Sequence, residues 1–292
     1  MFVGIICIIC ASVAFGFAPV FAKEITGTGM DTISMLVSTN AVALIVSGAV
    51  LLVRKSELKV TKKQLWQLLV FGGGGYGLTI LLLNSAYRFL PIGLGVMLHF
   101  IYPTVVTVGM VVFFKERISV MKAAAVIVSI AGLFLILDTS GETSFLGAAL
   151  ALGSGLAYAV YVAANRKCNY SGLPPYVIVF STVAVPFLGF ITFQLITGNL
   201  MLPPTDRAWI LVAGAGVVDH LFAVFMLTCA IRRLGATNAA IGNMLEPVTS
   251  VLAGAALYSD RIPLISLGGC ALVLLAVLFI VLDERRTARR AG

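Results

Sequence analysis

Two stretches of the chain, HFIYPTVVTVGMVVFFKERI at residues 99–118 and NMLEPVTSVLAGAALYSDRI at residues 243–262, superimpose without a gap at a spacing of 144 residues. Each carries a proline, about a dozen apolar residues and then an acidic–basic pair: Pro103 with Glu116 and Arg117, Pro247 with Asp260 and Arg261. In the second stretch Glu246 stands beside Pro247 inside a long apolar run, where a charge and a helix breaker are both costly. The same spacing relates Ala86 to Ala230 and Tyr76 to His220. Near the front of each half, AFGFAPVFAK (14–23) matches AYAVYVAANR (157–166) and Gly4 matches Gly147. The chain therefore divides into two repeats, 1–143 and 144–292.

Of the 292 residues 60% are hydrophobic and 11% charged, the composition of an integral membrane protein rather than of a soluble domain. A bilayer core of roughly 30 Å needs about 20 apolar residues per helix. The sequence predicts ten such helices, near 2–22, 32–53, 65–86, 92–114, 118–137, 145–165, 175–197, 208–230, 236–258 and 262–282. Five spans per repeat is an odd number, so the second repeat enters the membrane from the opposite side. Inverted pairs of this kind are characteristic of secondary transporters with a site near the bilayer midplane.

The net charge of +8 is explained by its distribution. Arg54, Lys55, Lys59, Lys62 and Lys63 follow span two; Lys115, Arg117 and Lys122 flank the break after span four; Arg166 and Lys167 follow span six. Arg232 and Arg233 follow span eight, and Arg285, Arg286, Arg289 and Arg290 form the tail. The alternate loops hold only Lys23, Arg88, Arg207 and Arg261. The positive-inside rule then places both termini in the cytoplasm of a multi-pass protein of the plasma or inner membrane. Nucleic-acid binding is disfavoured, because no basic cluster is interleaved with aromatics on a soluble scaffold. The first apolar run lacks the basic start of a signal peptide. Cys7 and Cys10 form a C-x-x-C, but inside an apolar helix they read as packing residues, and no metal or other cofactor is expected.

The proline–apolar–acidic-basic segments in both halves, with the ten-span, two-repeat plan, resemble the EamA-type branch of the drug/metabolite transporter superfamily. Asp260 stands where the pattern usually has glutamate. The resemblance implies a metabolite carrier, commonly an exporter, and names no substrate.

Polar groups at depth are the candidate site. A charge at a helix centre costs about 2.5–3.5 kcal/mol, so Glu246 is expected to face a cavity or a partner. Asn243 and Ser250 share its helical face; in the first repeat His99 and Tyr102 hold the equivalent face before Pro103. Asp219 and His220 lie mid-span in the eighth helix, and Tyr76 is the repeat partner of His220. Ser154, Tyr158, Tyr161 and Asn165 form a polar–aromatic stripe in the sixth. Gly72, Gly74 and Gly77 spell G-x-G-x-x-G, but without a preceding strand they suit helix packing or a locally unwound gate better than a dinucleotide. Lys23 and Arg166 are expected to be anchors or gate charges.

Together these residues predict an all-α transporter of a small polar metabolite, an amino acid or amine, that works by alternating access with proton coupling through Glu246. A channel or lipid scramblase is the alternative. A membrane-embedded enzyme is less favoured, since no H-E-x-x-H or G-x-S-x-G is present. The basic bias generates a direct prediction: a reporter fused after Arg290 gives the cytoplasmic signal, and an extracytoplasmic signal would overturn the topology and the inverted repeat with it.

Overall fold

The computed structural model describes residues 2–54, 60–90, 92–136, 144–258 and 264–291; Lys55, Lys59, Asp260 and Arg261 lie outside them. The described chain is helical, in the order α1 Phe2–Phe15, α2 Ala18–Thr26, α3 Thr32–Arg54, α4 Lys62–Gln67, α5 Gly75–Ala86, α6 Ile92–His99, α7 Tyr102–Phe114 and α8 Val120–Ile136. There follow α9 Phe145–Lys167, α10 Pro175–Thr197, α11 Asp206–Ala215, α12 Val224–Leu234, α13 Ala236–Gly242, α14 Glu246–Tyr258 and α15 Leu264–Ala291. Two π-helical segments, Leu68–Gly74 and Gly216–Ala223, join α4 to α5 and α11 to α12. Short 3₁₀ turns follow α9 and α13.

Among the described residues eight helical segments are long and apolar enough to cross a bilayer: Phe2–Thr26, Thr32–Arg54, Lys62–Ala86, Leu94–Phe114, Phe145–Lys167, Pro175–Thr197, Asp206–Leu234 and Ala236–Leu257. Val120–Leu135 and Leu267–Asp283 are two further, shorter apolar stretches, within α8 and α15. Large apolar side chains such as Val112, Phe113, Phe145 and Ile196 are exposed on the outside of the bundle, as lipid-facing positions require.

Three spanning segments are broken just before a proline, while α10 runs on through Pro186. Pro19 sits in the first turn of α2, where its missing N–H leaves no bond unmade, and the chain bends at Gly16 and Phe17. Pro103 likewise opens α7 and Pro247 sits in the first turn of α14. The breaks between α6 and α7 and between α13 and α14 thus recur 144 residues apart, and α8 and α15 begin at the same interval.

The packing repeats as well. Helix α9 lies against α5, α6 and α7, and α1 lies against α12, α13 and α14; α3 packs on α10, and α8 on α15. A Cβ at Gly147 would meet Phe89 and Leu90, and one at Gly4 would meet Arg233 and Leu234, the matching residues of the other half. Arg88 is therefore near the beginning of α9 and Arg166 at its end, about 30 Å apart at ~1.5 Å per residue.

Small residues let broken backbone approach its neighbours. A Cβ at Gly155 of α9 would lie 2.5 Å from the His99 carbonyl, and one at Gly73 would lie 2.4 Å from Val185 of α10. The glycine run of the third span is thus a packing surface on α10. Gly189 of the same α10 meets nothing within 4 Å. We expect Gly155→Ala to lower the melting temperature in detergent, the overpacking costing about 1–3 kcal/mol, while Gly189→Ala leaves it unchanged or raises it slightly. Equal melting curves for the two variants would contradict this packing.

Candidate functional site

Where the broken segments meet, a cavity of about 90 Å³ opens, several times the volume one ordered water requires. Six of the residues singled out in the sequence line it: Tyr76, His99, Tyr158, Asp219, His220 and Glu246. The two carboxylates come from separate elements, Asp219 from the second π-helical segment and Glu246 from the first turn of α14. No lysine or arginine is among the described lining residues, and the described ion pairs, Lys122–Asp283, Lys167–Glu116 and Arg207–Glu24, lie elsewhere.

Glu246 is held by a chain of side chains. Asn243 donates from Nδ2 to Glu246 Oε2 at 2.9 Å, and the single Ser12 hydroxyl proton of α1 is shared between the Ile8 carbonyl at 2.8 Å and Asn243 Oδ1 at 3.0 Å. Ser250, on the same face one turn along, donates to the Gly16 carbonyl at the break between α1 and α2, at 2.9 Å. Asn243 itself is fully buried and does not reach the cavity wall. The proline that opens α14 and the serine on α1 therefore fix where the carboxylate points.

The histidines are tied to neighbouring helices. Ser154 donates to the Ala151 carbonyl, so it accepts from His99 Nδ1 at 2.9 Å, and His99 Nε2 is left as an acceptor. Tyr76 OH pairs with His220 Nδ1 at 2.9 Å. These two residues occupy matching positions of the repeats, and their contact bridges the halves. Asp219 Oδ1 has no hydrogen-bond partner. A π-helical turn is longer than an α-turn, and here it presents the adjacent Asp219 and His220 to one space.

Aromatic rings floor the site. Tyr158 packs edge-on to Tyr102 at 4.7 Å between ring centroids and stacks on Tyr161 at 5.7 Å; Tyr76 lies 5.6 Å from Tyr161, and His99 5.3 Å from both Tyr102 and Tyr158. Tyr102 and Tyr161 sit behind this first layer, fully buried. The predicted stripe on α9 is thus divided: Tyr158 reaches the cavity, Ser154 positions His99, Tyr161 lies behind, and Asn165 is buried one turn beyond.

Sequence reading missed Thr39, Thr79, Asn84 and Tyr87, which also line the cavity. Thr79 and Asn84 donate to carbonyls of their own helix, and such residues give little signal singly. The signal that would have found Asn84 is its match at a spacing of 144 to Thr228, another polar residue at depth. A wider vestibule of about 440 Å³, lined by Lys23, Asp31 and Arg88 among others, shares Ala22, Met35, Asn84 and Tyr87 with the cavity. Lys23, expected to be an anchor or gate charge, stands in this vestibule.

The model of the EamA-like transporter family matches residues 2–138 and again 145–282. The chain belongs to this family. Its relatives are distant. An uncharacterized transporter of Archaeoglobus fulgidus is 23% identical over 69% of this chain and 71% of its own length. A riboflavin transporter of Vibrio cholerae serotype O1 is 24% identical over 77% of this chain and 74% of its own. One solved crystal structure shares the fold with a TM-score of 0.79, covering 97% of this chain and 98% of that one at 18% identity. The family and the apolar segments make this EamA-like protein a multi-pass membrane transporter.

The chain from Ser12 through Asn243 to Glu246 carries a stability prediction. Asn243→Ala leaves the carboxylate without its donor and should cost about 1–3 kcal/mol, read as a lower melting temperature in detergent. Ser12→Ala should cost less, because Asn243 still reaches Glu246. The reverse ranking would show that Ser12, not Glu246, is the partner that matters.

Proposed function

We propose that this EamA-like protein is a secondary transporter, acting as an exporter, that moves a small polar metabolite through the cavity at Glu246 by alternating access. The observation that carries the proposal is a pair of carboxylates, Asp219 and Glu246, facing one central space with no basic residue among its described lining. At the middle of a membrane an uncompensated carboxylate is expensive. A proton and a cationic cargo are two ways of neutralising it, and competition between them for one carboxylate is the minimal logic of antiport.

The lining favours an amine over an anion. The carboxylates suit a positive group, the faces of Tyr76 and Tyr158 suit a cation or a ring, and Asn84 and Thr39 supply hydrogen bonds. An amino acid remains within the class, its ammonium toward Glu246 and its carboxylate toward the vestibule that Lys23 and Arg88 line. Riboflavin, the cargo named for the Vibrio cholerae relative, is an uncharged ring system and belongs in the same assay as a comparison.

The wider reading is of ten crossings in two inverted five-helix repeats, 1–143 and 144–292, with both termini cytoplasmic in the plasma or inner membrane. The breaks 144 residues apart support it, as do the matching contacts of Gly4 and Gly147 and the pairing of Tyr76 with its counterpart His220. Tyr102, Tyr161 and Asn165 belong to the pathway in this reading, although they stand behind the cavity wall. A channel or scramblase would share the fold but would not link flux to the proton through one side chain.

Glu246→Gln keeps the size of the side chain and its bond to Asn243 but cannot titrate. We expect it to abolish flux driven by a pH gradient in proteoliposomes while the protein stays folded and monodisperse. If the Gln variant responds to gradients between about pH 6 and 8 as the parent does, Glu246 is a structural residue beside Pro247 and the coupling proposal fails.

A further inference from the structure

The open cavity and vestibule have counterparts in the other repeat, and there the same positions are shut. Ala22, Thr39 and Asn84 line the cavity. The residues 143 or 144 positions later are Asn165, Thr182 and Thr228, all wholly buried. Lys23, Met30 and Arg88 line the vestibule. Their counterparts are Arg166, Leu173 and Arg232, and these are tied together: Arg232 Nη1 donates to the Leu173 carbonyl at 2.8 Å, and Arg166 Nη1 to the Arg232 carbonyl at 3.1 Å. The latch joins the end of α9, the connection just before α10 and the end of α12, at the opposite end of α9 from Arg88.

Behind the latch lies a buried polar cluster. The Tyr161 hydroxyl faces Thr182, Thr228 and Asn165. Thr182 donates to the Ile178 carbonyl, Thr228 to the Val224 carbonyl, and Asn165 Nδ2 to the Tyr161 carbonyl. Tyr161 OH and Asn165 Oδ1 make no well-aligned hydrogen bond although both residues are wholly buried, the Tyr161 hydroxyl having only these three side chains close to it. Leaving such groups unpaired has a stability cost that phenylalanine or leucine at these positions would not incur. A polar cluster that is unsatisfied when shut is satisfied when wetted.

We propose that Tyr161, Asn165, Thr182 and Thr228 form the second half of the cargo pathway, sealed in this structure by the latch of Arg166 and Arg232, and that this half opens as the vestibule at Lys23 and Arg88 closes. The proposal rests on the transporter reading for what passes, but its geometry does not require a cargo. Tyr161 is then the partition between the halves, since Tyr76 and Tyr158, the rings against it, already face the cavity. The threonines, the asparagine and the tyrosine offer only neutral hydrogen-bonding groups, so the second half would pass a polar cargo without holding it, while the carboxylates retain it at the centre.

The test needs no substrate. In a chain freed of native cysteines and held in nanodiscs, single cysteines are placed as Asn84→Cys, Thr228→Cys and Val183→Cys, and their reaction rates with a small hydrophilic methanethiosulfonate are measured. Asn84→Cys should react at least about tenfold faster than Thr228→Cys. Adding Arg166→Gln and Arg232→Gln should raise the Thr228→Cys rate by about tenfold or more and lower that of Asn84→Cys, the population having shifted between two states. Val183 is wholly buried beside Thr182 and lines neither cavity nor vestibule, so Val183→Cys should stay inert throughout. An inert Thr228→Cys in the latch variant overturns the proposal. So does a rise at all three positions, which would mean simple loosening. Absence of transport by the parent protein would count against the transporter reading alone.

Discussion

The structure is organised around a carboxylate that meets no lysine or arginine among the described residues of its cavity. Glu246 sits at the break between α13 and α14, faces a cavity that Asp219 also lines, and is held by one amide, that of Asn243. A membrane span tolerates such a group only where the chain provides both a wet space and a fixed donor. Pro247 supplies the break, α1 supplies Ser12 to orient the donor, and Ser250 ties α14 to the bend in the first span. Each of these features has a stability cost that an apolar helix would avoid.

Close backbone approach makes this arrangement possible. Gly155 admits the His99 carbonyl against α9, Gly16 admits Thr249 of α14, and Gly73 admits α10 against the π-helical segment. Helices in a bilayer gain little from the hydrophobic effect against one another, so van der Waals fit at small residues carries more of their association. The Gly73 contact recurs in the other half at Gly216, where a Cβ would meet Val42 and the Thr39 carbonyl of α3. A molecule built from two matching halves can adopt one packing in the first half and the other in the second, and then exchange them, with the Tyr76–His220 pair bridging the two.

Much of this was legible in the sequence because it depends on residues whose meaning is local. Pro103 and Pro247 marked the two discontinuities, although α10 runs unbroken through Pro186, and a lone glutamate at depth located the cavity. The spacing of 144 then paired Tyr76 with His220 before any contact between them was known. Other parts were not legible. The stripe from Ser154 to Asn165 spans about 16 Å along α9 at ~1.5 Å per residue, too far for one small cavity to collect, so only Tyr158 lines it. The π-helical segments have no reliable sequence signature, and they alone bring both Asp219 and His220 to the cavity. Asn84 and Thr39 were passed over because a single amide or hydroxyl in an apolar span can satisfy itself on its own helix.

The central claim is that cargo binds at the Glu246 cavity and is exchanged across the membrane one molecule at a time. Counterflow tests it most directly: proteoliposomes loaded with a high concentration of an unlabelled amine or amino acid are diluted into a trace of the same compound carrying a radiolabel. The account predicts a transient, saturable accumulation of label for at least one compound of this class, lost when Asp219 and Glu246 are both replaced by leucine. Label that enters linearly with concentration, or equally with and without unlabelled compound inside, would contradict it and show a passive pore instead.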